Sequence, residues 1–314
     1  MFDLIIIGAS AAGSSAAIYS ARRKLNFKIV TDDIGGEVAL SGVVNNWPGI
    51  IEIQGFELAQ KFHDHVKSYG VEIDQGYRVE KIISKNNHHT IIAKNSVGEE
   101  KKYDTKTVII ATGIHPRRLG VKGEKELDRK GITYCTVCDG PLFKNKITTT
   151  IGSGNSALES ALMMAGIAKK VYLISKYANT AENNFGFPKG ENILIDKLKT
   201  LPNIEIIYGA STTEIIGEKN VTGVKYTDDS GTEKTLETQG VMIHIGQIPN
   251  SQFVEVEKNK MNEIKIDAKC RTNIEGIFAA GDVTDVPYKQ IGISAGQGIT
   301  AALATIEYIN RWSE

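Results

Sequence analysis

The sequence has no excess of either charge. It carries 37 lysines and arginines against 37 aspartates and glutamates, with the two signs mixed along its 314 residues. Proteins that bind nucleic acid or anionic membranes through a basic surface typically carry an excess of lysine and arginine. The densest basic run, Arg22-Arg23-Lys24, falls at the end of a predicted helix, where cations complement the helix dipole. We therefore expect no nucleic-acid partner and no membrane partner.

Long apolar runs are also missing. No stretch approaches the roughly 20 residues that span a bilayer. Met1-Phe2-Asp3 leads directly into a predicted strand, with no basic leader and no cleavage site. The protein is therefore predicted to be cytoplasmic.

Cysteine is scarce: the chain has three, at Cys135, Cys138 and Cys270. A structural zinc site needs four ligands, and no histidine lies at a ligand spacing from the close pair, so no metal site is predicted. Few cysteines fit a reducing compartment, in which a CxxC pair is typical of reversible dithiol chemistry. Asp139 follows the pair directly and can relay a proton during thiol–disulfide exchange. Cys135 and Cys138 are therefore the predicted redox pair.

Glycine, by contrast, is plentiful, and it stands at the ends of apolar strands. The apolar run at residues 4–7 leads into GASAAG at residues 8–13 and then into an alanine-rich helix. This is the setting of a dinucleotide-binding fingerprint, although Ser10 replaces the second glycine, so its hydroxymethyl group must point away or donate a hydrogen bond. A second strand at residues 27–30 leads to Asp32, where an acid suits the ribose hydroxyls of an adenosine. The pattern predicts dinucleotide binding.

The same pattern restarts after the cysteine pair. A threonine-rich strand at residues 146–151 precedes a second turn, GSGNSA at residues 152–157, followed by a helix and a strand at residues 171–174. That strand ends at Ser175-Lys176-Tyr177, with no acid for a ribose and no arginine cluster to grip a 2′-phosphate. This half is expected to keep the nucleotide fold, with or without a bound cofactor.

Together the motifs predict the α/β class, with two Rossmann-like nucleotide-binding domains in three layers, the second inserted into the first. Linkers are predicted near residues 113–116 and 246–250. A small β-meander at residues 71–92, with a turn at residues 86–87, is predicted within the first domain. In the second, the loop at residues 183–190 contains two phenylalanines, which are either buried cover or part of a partner-facing patch.

In this order the motifs resemble the low-molecular-weight thioredoxin reductases, flavoproteins of the pyridine-nucleotide disulfide oxidoreductase class. The resemblance covers essentially the whole chain, and its pieces are the turn at residues 8–13, Gly35-Gly36, Asn46-Trp47-Pro48-Gly49, Ala111-Thr112-Gly113, residues 135–139, the turn at residues 152–157, and Gly281-Asp282 with Lys289-Gln290. It implies an FAD-binding domain made of residues 1–114 and 246–314 and an inserted pyridine-nucleotide-like domain of residues 115–245 bearing the dithiol. It also implies a thioredoxin or thioredoxin-like partner and a homodimer.

The resemblance further implies roles for single residues. Cys138 would exchange electrons with the flavin, Cys135 would react with the partner's disulfide, and Asp139 would supply the proton. Asp282, beside a glycine at a strand end, is expected to bond a ribityl hydroxyl. Taking the fingerprint and the resemblance together, the residues expected to bind FAD are Gly8, Ser10, Ala11, Ala12, Gly13, Asp32, Gly36, Glu37, Asn46, Val79, Ala111, Thr112, Gly113, Gly281, Asp282, Lys289, Gln290 and Ile291.

The chain departs from that family at three places. The family's NADPH site carries a His-Arg-Arg stretch and a further arginine, all absent from residues 175–182. Glu37 replaces a glutamine near the flavin, where a carboxylate would disfavour the anionic reduced ring. Gln247 replaces the usual basic or histidine residue of the return linker. This pattern is similar to the ferredoxin-dependent flavin thioredoxin reductases, and it predicts reduced ferredoxin as the electron donor in place of NADPH.

Two alternatives stay open. A nicotinamide-dependent reductase with an unorthodox nucleotide site is favoured by the intact turn at residues 152–157. A flavin-binding regulatory protein, whose dithiol senses redox state, would need no turnover, and the intact Cys135–Asp139 run counts against it.

Overall fold

The computed structural model describes residues 1–85 and 87–312, so Asn86 of the predicted turn lies outside the described residues. The chain falls into two compact units, Met1–His115 with Ile248–Glu314, and Pro116–Gln247. Both boundaries lie in the stretches interpreted as linkers. The assignment of the first unit to FAD and of the second to a pyridine-nucleotide-like domain stays a prediction.

Strands and helices alternate in parts of the chain, whereas the described residues of the ranges 73–133 and 204–279 form consecutive strands with no helix between them. The strands are β1 (Phe2–Ala9), β2 (Phe27–Ile34), β3 (Val43–Val44), β4 (Ile53–Gln54), β5 (Ile73–Gln75), β6 (Tyr77–Lys85), β7 (His88–Asn95), β8 (Glu100–Ile110), β9 (Ile114–Pro116), β10 (Ile132–Thr133), β11 (Ile147–Ile151), β12 (Lys170–Ile174), β13 (Ile204–Ile207), β14 (Ser211–Gly217), β15 (Val221–Thr227), β16 (Glu233–Glu237), β17 (Gly240–Ile243), β18 (Gln247–Pro249) and β19 (Ile277–Ala279). The helices are α1 (Ala11–Arg22), α2 (Gly36–Leu40), α3 (Gly55–Lys67), α4 (Thr136–Asp139), α5 (Asn155–Ala165), α6 (Asn192–Lys199) and α7 (Ile291–Ile309), and a 3₁₀ turn, Gly140–Phe143, follows α4.

The first unit is built on a sheet in the order β5-β2-β1-β8-β7-β6, with β19 also paired to β8. The strand β1 runs parallel to both β2 and β8, while β6, β7 and β8 form an antiparallel meander. The meander extends to Ile110, beyond the predicted residues 71–92, and β5 lies outside it because it pairs parallel with β2. The apolar run in β1 is buried on both faces, since Leu4 and Ile6 pack with residues of α1 and α7, and Ile5 and Ile7 pack in a second core cluster. A continuous apolar run is what a central strand of a parallel sheet requires, so the predicted α/β class is confirmed for this unit.

Close packing of α1 against α7 places the C-terminal segment beside the first glycine turn. A Cβ atom on Gly298 of α7 would lie 2.1 Å from the carbonyl oxygen of Ala12, so a larger residue would push the two helices apart. A Cβ on Gly281, before α7, would lie 3.0 Å from the Cβ of Ala12. In the described part of the chain, no helix, α7 included, has the length and apolarity needed to cross a membrane.

The second unit repeats the parallel arrangement. Its main sheet has the order β10-β17-β11-β12-β13, with every pair parallel, and β14, β15 and β16 form a separate antiparallel sheet. The threonine-rich strand is β11, in the middle of the sheet, and its side chains Thr148, Thr149 and Thr150 are fully buried. Within the described residues, the hydroxyl groups of these threonines have no hydrogen-bond partner.

Candidate functional site

The first glycine turn is shaped by contacts that leave no room for side chains. A Cβ on Gly13 would lie 1.9 Å from the carbonyl oxygen of Gly8, and one on Gly8 would lie 2.4 Å from that of Ala111. The turn therefore presses the start of α1 against the end of β8. The side chain of Ser10 does not cap α1, which leaves the first-turn N–H groups, those of Ala11 and Ala12 among them, facing the position where a pyrophosphate binds in such folds.

Ser10 links this turn to a second predicted cofactor segment. Its hydroxyl donates a hydrogen bond to the carbonyl oxygen of Gly35 at 2.6 Å. A Cβ on Gly36 would lie 3.4 Å from the Cβ of Ser10. The residue that replaces the fingerprint's second glycine thus directs its hydroxyl to the protein, one of the two outcomes that the sequence allowed.

Asp32, predicted to bind the adenosine ribose, has a partner that the sequence did not reveal. Its Oδ2 atom accepts hydrogen bonds from Nε and Nη2 of Arg78, at 3.0 and 2.7 Å. Both side chains are largely exposed, so the carboxylate remains accessible on its other oxygen. Val79, the next residue, buries its side chain in the core, and only its main chain is left to meet a ligand.

The predicted flavin-proximal residues come together at the start of α7. The Asn46 amide donates to Oε1 of Gln290 at 3.2 Å, although 244 residues separate the two in sequence. Gln290 is the N-cap residue of α7, which begins at Ile291. The carboxylate of Asp282 accepts a hydrogen bond of 2.7 Å from the hydroxyl of Ser294, and burial raises the pKa of this carboxyl group.

Lys289 is the exception in this group. Its ammonium forms a 2.9 Å ion pair with Glu263, in which both side chains are mostly buried, and donates to the carbonyl oxygen of Thr284 at 2.6 Å. The side chain expected to bind FAD is thus engaged within the protein, and Glu263 is a partner that no motif indicated.

The return segment is bound to the end of β8. Thr112 donates its hydroxyl to the carbonyl oxygen of Asn250 at 2.6 Å, and the Asn250 side chain donates to the carbonyl oxygen of Thr112 at 2.8 Å. The backbone N–H of Asn250 also donates to the carbonyl oxygen of Gly113. These reciprocal bonds hold Ala111, Thr112 and Gly113 in a fixed position beside the turn at Gly8.

Glu37, at the N-terminus of α2, has a titratable partner. Its Oε1 lies 2.7 Å from Nδ1 of His115. The hydrogen bond that the protonated imidazole donates to Glu37, together with the negative charge of Glu37, raises the pKa of His115. When the imidazole is protonated, the pair carries no net charge, and the effect expected of an isolated carboxylate near a redox ring is reduced.

In the second unit, Cys135 and Cys138 are joined in a disulfide. Cys135 is the N-cap residue of α4, and the backbone N–H of Cys138 donates to its Sγ atom at 3.3 Å. A hydrogen bond to sulfur favours the thiolate over the thiol once the disulfide opens. Cys270 lies elsewhere, buried in the core of the first unit.

Asp139 is held beside the disulfide by Thr133. The Thr133 hydroxyl donates to the carboxylate of Asp139 and accepts a hydrogen bond of 3.1 Å from the backbone N–H of Cys135. Burial raises the pKa of Asp139. A carboxyl group with a raised pKa keeps a proton closer to neutral pH, as a proton donor to a leaving thiolate must.

The residue that follows Cys135 is anchored from two sides. The buried Thr136 hydroxyl lies 2.6 Å from Oγ of Ser160, on α5, and 2.8 Å from Nε2 of His244, directly after β17. Burial lowers the pKa of His244 to about 4, so its imidazole is neutral at physiological pH. No sequence motif indicated this cluster, because 108 residues separate Thr136 from His244.

The second glycine turn keeps its shape, and its neighbours are protein atoms. A Cβ on Gly152 would lie 2.2 Å from the carbonyl oxygen of His244. Gly154 forms a β-bridge with Lys189. The Asn155 side chain donates to Glu191 at 2.7 Å and accepts from the Glu191 backbone N–H at 2.8 Å. A carboxylate therefore stands beside the start of α5, where a phosphate would otherwise be favoured.

The end of β12 is covered by the loop at residues 183–190. The Ser175 hydroxyl donates to the carbonyl oxygen of Gly186 at 2.5 Å and lies 3.0 Å from the hydroxyl of Ser153. The two phenylalanines of this loop differ in burial. Phe187 is fully buried, as the first alternative predicts, while Phe185 is 48% exposed.

A redox dithiol on one nucleotide-type fold and a glycine cradle on another define a disulfide oxidoreductase that works with a nucleotide cofactor. The chain belongs to the pyridine nucleotide-disulphide oxidoreductase family, which matches residues 2–300. This family binds FAD, and FAD is the cofactor of this chain. The residues of the first unit fit it, since the turn at Gly8 leaves N–H groups for a pyrophosphate and excludes side chains from the cradle.

Two curated relatives are similar to almost the whole chain. An alkyl hydroperoxide reductase protein of Staphylococcus aureus (strain MSSA476) is 41% identical over 313 residues, which are 99% of this chain and 59% of that protein. The NADH dehydrogenase of Bacillus subtilis (strain 168) is 37% identical over the same shares. The chain thus spans about three-fifths of the length of the curated relatives that it matches.

Solved structures match over their full length. The thioredoxin reductase of Streptococcus pyogenes MGAS5005 has a TM-score of 0.90 and 31% identity, covering 99% of both chains. A ferredoxin-flavin thioredoxin reductase of Clostridium acetobutylicum has a TM-score of 0.52 and 29% identity, also covering 99% of both chains. The fold is therefore that of a thioredoxin reductase.

Proposed function

We propose that this protein is an FAD-dependent dithiol–disulfide oxidoreductase that reduces a thioredoxin-type disulfide through Cys135 and Cys138. We further propose that its electron donor is reduced ferredoxin in place of NADPH. When bound, FAD supplies the ability to accept electrons singly and to pass them on in pairs.

The redox turn supports the first part of the proposal. In the exchange, the Cys135 thiolate attacks one sulfur of the partner's disulfide, that disulfide breaks, and a mixed disulfide forms. Cys138 then attacks Cys135, so that the Cys135–Cys138 disulfide re-forms, the partner leaves as a dithiol, and both thiol protons end on the partner's sulfurs. The N–H of Cys138 stabilises the Cys135 thiolate, and Asp139 is placed to donate a proton to the leaving sulfur.

One observation carries the choice of donor: the Ser175 hydroxyl is bonded to the Gly186 carbonyl at the end of β12. That strand end is where an adenosine ribose and its 2′-phosphate are held in this fold. In this protein the Gly186 carbonyl oxygen lies at that strand end. The ammonium of the adjacent Lys176 lies over the ring of Tyr177, 5.1 Å from its centroid. A 2′-phosphate needs guanidinium donors, and none stands in the covering loop.

One of the similar solved structures supports a ferredoxin donor. The Clostridium acetobutylicum structure is of a ferredoxin-flavin enzyme, at 29% identity. We carry its donor over because this chain lacks the arginines of an NADPH site. A thioredoxin-type partner is carried over from the thioredoxin reductases that share the fold. The homodimer and the cytoplasmic location stay predictions.

Turnover with a thioredoxin substrate tests the proposal. We expect reduced ferredoxin to support thioredoxin reduction and NADPH to give at most a few per cent of that rate. Cys135→Ser should abolish turnover with every donor, while Cys270→Ser, a matched loss of a thiol distant from the redox turn in sequence, should leave it unchanged. Full turnover by Cys135→Ser would overturn the catalytic assignment, whereas a wild type with no turnover at all would favour the regulatory alternative.

A second candidate donor is NADH. The turn at Gly152 is intact, a relative at 37% identity is called an NADH dehydrogenase, and NADH needs no 2′-phosphate site. The end of β12 has no acid for the ribose hydroxyls, which counts against it. Saturable NADH-driven thioredoxin reduction with a micromolar KM would decide for this alternative.

A further inference from the structure

The Thr136 hydroxyl, one residue after Cys135, has two side-chain hydrogen-bond partners. Thr136 is 4% exposed and Ser160 is also 4% exposed, so their hydroxyl groups are hydrogen-bonded to each other away from water. The third member, His244, contributes Nε2 at 2.8 Å. All three residues belong to the second unit.

The cluster joins the redox turn to two rigid elements. Ser160 lies within α5, whose residues Ala157, Leu158 and Ala161 are fully buried. His244 follows β17 directly, and its backbone N–H donates to the carbonyl oxygen of Ile151 at 2.8 Å, at the end of the central strand β11. A buried threonine bonded to both elements fixes its own main chain, and Thr136 is the residue that follows Cys135.

The turn that contains Thr136 also contains the hydrogen bond to the Cys135 sulfur, which comes from the backbone N–H of Cys138. The Cys138 N–H donates to Sγ of Cys135 at 3.3 Å and to the Cys135 carbonyl oxygen at 3.1 Å. When the disulfide opens, the sulfurs separate, and only a turn that is held elsewhere keeps this N–H directed at Cys135. The Thr133 contacts hold the turn from one side, and the Thr136 cluster holds it from the other.

We propose that His244 and Ser160 are positioning residues for the redox pair, which act through Thr136 to keep the Cys135–Cys138 turn in one conformation in both the disulfide and the dithiol state. This proposal rests on the proposed role of Cys135 and Cys138 as the redox pair. It does not depend on the identity of the electron donor. The hydrogen bonds of both residues go to Thr136 and not to the reacting sulfur atoms. They therefore act on the acidity of the Cys135 thiol, and only through that acidity on the rate of exchange.

The test is the pKa of the Cys135 thiol in the reduced, FAD-loaded protein, from the pH dependence of its alkylation by iodoacetamide. Thr136→Val removes the hydroxyl and keeps the shape. We expect it to raise the thiol pKa by roughly one unit, and so to slow alkylation about tenfold at a pH below that pKa. His244→Leu should also raise the thiol pKa. His244→Gln retains a hydrogen-bonding group, so its thiol pKa should lie at least halfway back from the His244→Leu value to the wild-type value.

Thr149→Val is the matched control, since it removes a buried threonine hydroxyl of the same unit that has no hydrogen-bond partner among the described residues. Its thiol pKa should equal that of the wild type. A purely structural role would lower the melting temperature of Thr136→Val while leaving the thiol pKa unchanged, and that result would overturn the proposal. If Thr136→Val does not fold, Ser160→Ala and His244→Leu supply the same readout. Failure of the ferredoxin assay would leave these alkylation results untouched.

Discussion

At the scale of single residues, the site depends on partners that lie far apart in sequence. Ser10 donates its hydroxyl to the Gly35 carbonyl oxygen, because a serine in a tight glycine turn has few directions open to its side chain. Lys289 is expected from the resemblance to bind FAD, and its ammonium forms an ion pair with Glu263 that no motif indicated. His244 carries no motif, because a lone histidine at a strand end has no spacing signal. Motifs thus predicted which segments meet, and the direction of each side chain depended on the fold.

The His115–Glu37 pair makes one residue-scale expectation testable. Glu37→Gln removes the negative partner, so the pKa of His115 should fall toward its ordinary value, as measured by NMR titration of the imidazole. Glu57→Gln, in the first turn of α3, is the control and should leave that pKa unchanged. An unchanged His115 pKa in Glu37→Gln would show that the 2.7 Å contact does not persist in solution.

The same pair has a defined effect on stability. Because the folded-state pKa of His115 is raised, the stabilisation is fully present below the unfolded pKa and is lost as pH rises through the folded pKa. Both side chains are more than one-third exposed, at 55% and 39%, so the gain is about 0.5 kcal/mol or less. The urea concentration at the midpoint of unfolding should therefore be higher for the wild type than for Glu37→Gln at pH 5. At pH 9 the two midpoints should be equal.

Asp139 is expected to act as the proton donor. Asp139→Asn keeps the shape and removes the proton, so thioredoxin reduction should fall by roughly a hundredfold. Burial raises the pKa of Asp139, and the wild-type rate should decline as pH rises through that pKa. The rate of the variant should show no such decline with pH. Asp196→Asn, on the exposed face of α6, is the matched control. A variant that kept the wild-type pH profile would exclude this role.

At the scale of elements, the sequence predicted the strands and turns well, because buried parallel strands are short apolar runs that end at glycine. The strand β11 is the informative case: its threonines are unusual for a central strand, and the structure places it centrally with three buried hydroxyl groups that have no partner among the described residues. The covering of β12 by the loop at residues 183–190 could not be predicted, since a loop with glycine and proline has no periodicity that fixes where it packs.

A buried hydroxyl without a partner costs free energy, so β11 offers a stabilising substitution. Thr149→Val removes such a hydroxyl and retains the shape, and the free energy of unfolding should rise by about 1 kcal/mol. Thr238→Val is the control in which stability should fall, because the buried hydroxyl of Thr238 donates a hydrogen bond to the Gly240 carbonyl oxygen at 3.0 Å. Urea unfolding followed by circular dichroism compares the two. A loss of stability in Thr149→Val would mean that its hydroxyl is bonded in solution.

At the scale of the whole molecule, the order of motifs along the chain predicted two nucleotide-type folds with one inserted into the other. Internal duplication is visible in sequence because each copy needs its own strand, glycine turn and helix. What differs between the copies is the end of the second strand: Asp32 in one, and Ser175 bonded to Gly186 in the other. The first copy therefore keeps the acid that is predicted to bind a ribose, whereas in the second copy the strand end is hydrogen-bonded to the protein's own loop.

This difference is the basis for our proposal that electrons do not enter the protein through NADPH. Anaerobic stopped-flow absorbance of the FAD-loaded protein measures it directly. We expect the visible flavin absorbance to persist in excess NADPH and to bleach when reduced ferredoxin is added. Rapid and complete bleaching by micromolar NADPH would contradict the claim.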